Sequence, residues 1–123
     1  MKKPSVSRLK KKLDGAHSIH IRSSATNHQG YASCYTCGVK KRWQELQCGH
    51  FISRANNSLR YDERNTKPQC VACNIFKHGN IPAFAVHLTK EYGAGIVEKL
   101  VKEGKKIRQF SIKELEELYE KYK

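Results

Sequence analysis

The fold turns on one stretch, PQCVACNIFKHGN, residues 68–80. Cys70 and Cys73 are separated by two residues, Asn74 follows at once, and Lys77 stands three positions further on. A C-x-x-C pair serves metal or redox chemistry. A second pair, Cys34 and Cys37, lies upstream in CYTCGVKK, where Gly38 permits the tight backbone turn that paired cysteine ligands require. Two such pairs in one short chain form the pattern of a tetrahedral zinc site with four thiolate ligands. No βαβ pattern surrounds either pair, which argues against a thioredoxin-like redox role. With sulfur at all four positions the site is closed and structural, so any chemistry must come from residues beside it. Cys48, the fifth cysteine, is left over.

Composition narrows the partner. The chain has 123 residues, enough for one domain, and carries 24 Lys and Arg against 11 Asp and Glu, a net charge of +13. Such a surplus suits a polyanion, nucleic acid before an acidic membrane. No long apolar run or lipid-anchor motif supports a membrane role. The basic start MKKPSVSRLKKKLDG lacks the apolar stretch of a secretory signal. The expected compartment is therefore the cytoplasm, where five cysteines do not read as a disulfide framework. A hydrophobic fraction of 38% gives a modest core of the kind that a metal staple supports.

Local patterns place the cysteine pairs among helices. Val6, Leu9 and Leu13 have helical spacing, although a disordered basic arm suits residues 1–13 equally well. AHSIHIRSSATN, residues 16–27, reads as a helix with Ile19 inward and Arg22 outward, broken at HQGY. Trp43, Phe51 and Ile52 suggest a strand or short hairpin over residues 43–52, followed by the polar loop SRANNSLRYDERNTK. Beyond the second pair, Asn80 reads as an N-cap with Pro82 in the first turn, and Phe84, Leu88 and Tyr92 keep helical spacing up to Gly93. AGIVEKLVKEG is a further short helix ending at Gly104. Ser111 and Glu114 form a capping box for a last helix, with Phe110 and Leu115 as a hydrophobic staple and Ile112, Leu115, Leu118 and Tyr122 as its apolar stripe. The chain thus divides into a basic N-terminal arm or helix (1–15), a zinc-containing domain (16–104) and a C-terminal amphipathic helix (105–123).

Beside the cysteines stand His50 in QCGHFISR, Asn65 in LRYDERN, and Asn74 and Lys77 in CNIFKHGN. That order, with GYASCYTCG before it, resembles the HNH, or ββα-metal, nucleases. Within them it looks most like the NinG/Rap recombination endonuclease family of lambdoid phages, over roughly residues 8 to 101. The resemblance implies an α+β fold, a small zinc-stapled ββα-metal (HNH-like) core with flanking N- and C-terminal helices. It implies a catalytic set of His50, Asn65 and Asn74: His50 as general base on a strand, Asn65 holding the loop that aims it, and Asn74 ligating a catalytic Mg2+ or Mn2+ beside the structural Zn2+. It also implies phage or prophage origin and DNA, branched or recombination intermediates, as partner. The chemistry agrees independently. A histidine with a pKa near 6.5 can take a proton from water at neutral pH, and an amide oxygen is a hard ligand suited to magnesium. Arg54, Arg60, Arg64, Lys67 and Lys77 are the basic residues expected to meet the phosphates.

One position departs from the common pattern. Many HNH proteins carry a second metal ligand just before the base, and here that residue is Gly49. Cys48 shares the strand face of His50, but a thiolate is a poor magnesium ligand. Asp62 or Glu63 is expected to reach in from the loop, with Asp62 the first choice. Plainer roles also exist. A strand histidine often only packs, Asn74 can serve as a helix cap, and Lys77 as a solvated residue. His17, His20, His78 and His87 read as surface or packing residues, His78 being nearest the expected site.

Three functions follow from different classes: a metal-dependent DNA endonuclease, a non-catalytic zinc-stabilised nucleic-acid-binding module, and a zinc-stabilised protein-interaction module. Charge and cysteines suit the first two equally, and only the nuclease requires His50 and Asn74 at these offsets. No helix carries a base-reading set of side chains, and phosphate contacts position a protein without specifying sequence. A homodimer would suit two symmetric cuts at a junction.

Overall fold

A computed structural model describes residues 5–123. Helix α1 (Val6–Ser24) opens at Ser5, whose hydroxyl accepts a hydrogen bond from the Arg8 amide at 3.1 Å. The described part of the basic N-terminal stretch is thus helical, and α1 runs unbroken through positions 15 and 16, where an arm was expected to give way to the domain. The rest of the expected arm, residues 1–4, lies outside the described residues. Leu13, His17 and Ile21 form the buried face of α1 at four-residue spacing. Ile19, expected to point inward, is 49% exposed, because a helix phased on Leu13 and His17 turns position 21 to the core instead.

The strands form two separate antiparallel pairs. β1 (Tyr31–Ser33) and β2 (Lys40–Arg42) make a hairpin with Cys34 and Cys37 at its tip. Gly38 there has φ 81° and donates its amide to the Cys34 carbonyl at 2.9 Å. β3 (Gln47–His50) pairs with β4 (Thr66–Gln69), with Gln47 opposite Gln69 and His50 opposite Thr66. Residues 43–52 are therefore not a hairpin of their own. Trp43–Glu45 is a 3-10 turn, the strand covers four residues, and its partner comes from the stretch expected to be loop. TKPQ has no alternation and contains Pro68, so tertiary pairing rather than local propensity makes it a strand.

After β4 comes a π-helical turn (Ala72–Phe76), then α2 (Ile81–Tyr92), α3 (Ile96–Gly104) and α4 (Ile112–Tyr122). Asn80 holds the N-cap position of α2 with φ 47°, but its side chain donates to Cys73 Sγ at 3.5 Å instead of capping the helix. The Ser111–Glu114 capping box forms as its sequence requires.

Three apolar clusters hold this small mixed α+β domain together. Leu13, Tyr61, Leu115 and Tyr122 join α1 to α4. Phe51, Leu59, Phe84, Leu88, Ile96 and Leu100 seat α2 and α3 under the loop between β3 and β4. Ala32 and Leu46 pack around Cys34, Cys70 and Cys73. Among the described residues no helix is long and apolar enough to cross a membrane.

His17 fastens α1 to the second strand pair. Its Nε2 lies 3.0 Å from Thr66 Oγ1, whose own proton goes to the Asp62 carbonyl at 2.9 Å. Thr66 must therefore accept, which makes His17 the neutral Nε2–H tautomer. Burial, with only 2% of the residue exposed, pushes its pKa down to about 4. The unfolded chain takes up a proton near pH 6.5 that the folded chain refuses until about pH 4. This contribution is thus complete above pH 6.5 and is lost progressively as pH falls toward 4. At pH 5 the loss should be about 2 kcal/mol. Urea unfolding at pH 7 and pH 5 tests this: the wild type should lose about 2 kcal/mol more than His17→Gln, since other groups cancel in the comparison. Equal losses in the two proteins would contradict it.

Candidate functional site

The four cysteines of the two C-x-x-C pairs converge from the tip of the β1–β2 hairpin and the turn after β4. The sulfur atoms of Cys34, Cys37, Cys70 and Cys73 all lie within 4.8 Å of one another, and Cys37 Sγ is 3.7 Å from Cys70 Sγ. A tetrahedron with Zn–S bonds of about 2.3 Å has edges of about 3.8 Å, so the cluster could hold a structural metal such as zinc. The sulfurs also have N–H partners of the kind that thiolates use. The Cys73 amide lies 3.5 Å from Cys70 Sγ, and Asn80 Nδ2 lies 3.5 Å from Cys73 Sγ. Cys48 stands outside the cluster, and burial pushes its thiol up to about 12, which keeps it protonated.

Strand alternation on β3 explains the glycine before His50. Cys48 and His50 line a cleft, while Gly49 faces the other way, toward Gln69. A Cβ at position 49 would stand 1.8 Å from Gln69 Oε1, so any larger residue there must displace the Gln69 side chain. Gln69 is fully buried and donates to Thr36 Oγ1 at 3.1 Å and to the Gly79 carbonyl at 2.8 Å. It ties the first cysteine turn to the second. Position 49 thus serves packing against Gln69.

The cleft, about 550 Å³, gathers His50, Asn74, His78, Arg54, Arg60, Asp14 and His17 from four separate segments. His50 Nε2 lies 3.0 Å from the Arg60 carbonyl, which can only accept. The ring is therefore held as the Nε2–H tautomer with Nδ1 free to take a proton. Burial lowers the His50 pKa most; the bonded carbonyl opposes this and nearby Arg54 adds to it, leaving the ring neutral at pH 7. Asn65 fixes the loop that carries this carbonyl. Fully buried, it accepts from the Ile52 amide at 2.8 Å and donates to the carbonyls of Ile52 and Leu59 at 3.0 and 3.2 Å. Asn74 Nδ2 donates to Gln47 Oε1 at 2.8 Å, so its Oδ1 remains as a ligand atom.

Asp14 of α1 is the cleft residue that sequence reasoning missed. Its carboxylate accepts from Arg60 Nε and from the Tyr61 hydroxyl, both at 2.9 Å. Burial pushes the carboxyl up, but the Arg60 guanidinium and the Tyr61 hydroxyl outweigh it and hold the group below the usual carboxylate range. Asp14 and His17 are three apart on α1, and that i, i+3 spacing was the available signal.

The remaining expected residues separate into those in the cleft and those outside it. Arg54 lines it with a side chain 65% exposed, and Arg60 lines it while gripping Asp14. Asp62, expected to complete a magnesium site, does not line the cleft. Its oxygens accept from Arg64 Nε at 3.0 Å and from the Arg64 terminal nitrogen at 2.6 Å. Arg64 bonds Glu103 as well, at 2.6 Å, and Lys67 is bonded to the Tyr92 hydroxyl at 2.6 Å with Glu91 beside it. All three side chains are held by partners within the fold. Lys77 is exposed on the turn beyond Asn74.

The cysteine assignment has a direct test. Cys70→Ser should lose the bound metal and cooperative unfolding together, because structural zinc contributes folding energy directly. Cys48→Ser should lose neither. Metal analysis finding one zinc per chain in folded Cys70→Ser would contradict the assignment.

Known phage proteins resemble this chain in sequence. "Protein ninG" of Salmonella phage P22 is 36% identical over 76 residues, 61% of this chain and 37% of that protein. "Protein ninG" of Escherichia phage lambda is 35% identical over 68 residues, 54% of this chain and 33% of that protein. The chain therefore spans about a third of the length of these relatives. No solved structure matches it significantly. A family model described as "Bacteriophage Lambda NinG protein" matches residues 3–123, and the chain belongs to that family.

Proposed function

We propose that this domain is a metal-dependent DNA endonuclease of the HNH type, acting on branched or recombination-intermediate DNA. The observation that carries the reading is the pairing of His50 and Asn74 in one cleft. His50 presents a neutral Nδ1, and Asn74 presents a free amide oxygen. The order β3, loop, β4, helical turn is the strand–strand–helix order that the HNH resemblance implies. A net charge of +13 supports a nucleic-acid substrate.

The donor set suits magnesium or manganese. Such ions keep several waters and take one or two protein oxygens plus substrate phosphates, and Asn74 Oδ1 with the Asp14 carboxylate in the same cleft is a set of that sparse kind. The bound ion would supply positive charge to the phosphate and the departing 3′ oxygen. The chain's own groups do the rest. His50 Nδ1 takes a proton from water, and the Arg60 carbonyl steadies the imidazolium that forms. Asn65 keeps the loop from drifting, and Arg54, largely exposed at the cleft, offers its guanidinium to a phosphate.

One observation favours the second reading, a non-catalytic DNA-binding module. Among the described residues Asp14 is the only carboxylate lining the cleft, and Arg60 and Tyr61 already bond it. Cleavage assays on linear, supercoiled and four-way-junction DNA, with and without Mg2+ or Mn2+, separate the two. Wild type should cut only with the divalent ion. His50→Ala should be slower by about a hundredfold or more, with DNA affinity and zinc content unchanged. Asn74→Ala should also be slow, and partly restored by higher Mg2+ or by Mn2+. Cleavage by His50→Ala at the wild-type rate would refute the base assignment. Binding without cleavage in any divalent ion would establish the second reading.

A further inference from the structure

The turn between the second cysteine pair and α2 is amphipathic in an inverted sense. Its inner side carries buried Cys73 and half-buried Asn74. Its outer side carries Val71, Ala72, Ile75 and Phe76, all exposed: Val71 to 39%, Ile75 to 50% and Phe76 to 77%. Positions 71, 72, 75 and 76 share one face of a helical turn, so these side chains form a continuous apolar surface rather than scattered exceptions. The turn is also built to stay in place. Lys77 donates its amide to the Ala72 carbonyl at 2.9 Å, Gly79 to the Cys73 carbonyl at 2.9 Å, and His78 to that of Ile75 at 3.1 Å. His78, Gly79 and Asn80 then run through three consecutive left-handed conformations, with φ of 49°, 92° and 47°. Two of those residues are not glycine, and backbone strain of this kind gathers at functional sites.

We propose that this outer face, with Phe76 at its tip, is a stacking platform for bases left unpaired or unstacked at a DNA branch point. The inference rests on the nucleic-acid reading above and deepens it, by giving the domain a physical means to distinguish branched from linear DNA. Position and charge select this occupant. Asn74 and His78, which flank Ile75 and Phe76 in sequence, both line the cleft, so a strand laid across the cleft passes beside Phe76. Lys77 stands exposed between them, and the chain as a whole is strongly cationic. An apolar patch beside a phosphate track suits the flat faces of bases, which stack on aromatic rings without regard to sequence. In linear duplex those faces are already stacked, and insertion must first open a step; at a branch point they are available.

The test is binding without divalent ions, so that it is separate from cleavage. Zinc-loaded protein is titrated with a synthetic four-way junction and with linear duplex of equal length. Phe76→Ala should weaken junction binding by about tenfold, in the range of one stacked base, and leave duplex binding and zinc content unchanged. Phe76→Trp, in a Trp43→Phe background, should retain junction binding, and its fluorescence should be quenched by the junction and not by the duplex. The proposal is overturned if Phe76→Ala weakens both DNAs equally or neither. It is overturned also if wild type fails to prefer the junction, or if Phe76→Ala abolishes self-association while DNA affinity is unchanged. In the last case the face joins two copies of the chain. A wild type that prefers the junction through Phe76 and yet never cuts it would uphold this proposal and refute only the nuclease reading.

Discussion

Everything in the candidate site hangs on four sulfur atoms brought together from residues 34–37 and 70–73. A chain this basic repels itself, and its apolar residues are divided among three small clusters rather than one core. Joining the tip of the β1–β2 hairpin to the turn after β4 fixes the residues that flank the second cysteine pair. Gln69, next to Cys70, is locked between Thr36 and Gly79. Asn74, next to Cys73, is held against Gln47 on β3. The metal-type centre does no chemistry in this account. It sets the distance between a strand and a turn, and the cleft is what lies between them.

A second constraint completes the cleft from the other side. The loop over residues 51–65 has little regular structure, yet the buried carboxamide of Asn65 and the Asp14–Arg60 ion pair determine its course. Arg60 does two things at once. Its guanidinium holds α1 through Asp14, and its carbonyl accepts from His50. The N-terminal helix is therefore one wall of the site. It supplies Asp14 and His17 to the cleft and Leu13 to the core shared with α4.

What the sequence made legible was chemistry with a fixed spacing. Two C-x-x-C pairs, a glycine after the first, a capping box and the helices after Asn80 could all be read, because each is set by contacts within a few residues. The cleft's outline could be read only in part. Asn65 was expected to hold the loop, and its three hydrogen bonds do so. Asp62 was expected in the cleft and is instead bonded to Arg64 two residues away, a local ion pair that outcompetes a longer reach. Asp14 was missed because its only local signal, the i, i+3 spacing to His17, does not show that α1 lies against β3. β4 was missed because pairing alone makes TKPQ a strand. Residues 16–27 were phased wrongly because the helix begins ten positions earlier, at Val6, and Leu13 sets its rotation.

His50 stands in the cleft as a neutral imidazole, with Nε2 committed to the Arg60 carbonyl and Nδ1 open. Nitrogen-15 NMR of the histidine rings in the zinc-loaded protein at pH 7 tests this without reference to any substrate. The account predicts that His50 shows the Nε2–H tautomer, with an unprotonated Nδ1 and a pKa below 6.5. A His50 ring that is charged at pH 7, or that carries its proton on Nδ1, would contradict it.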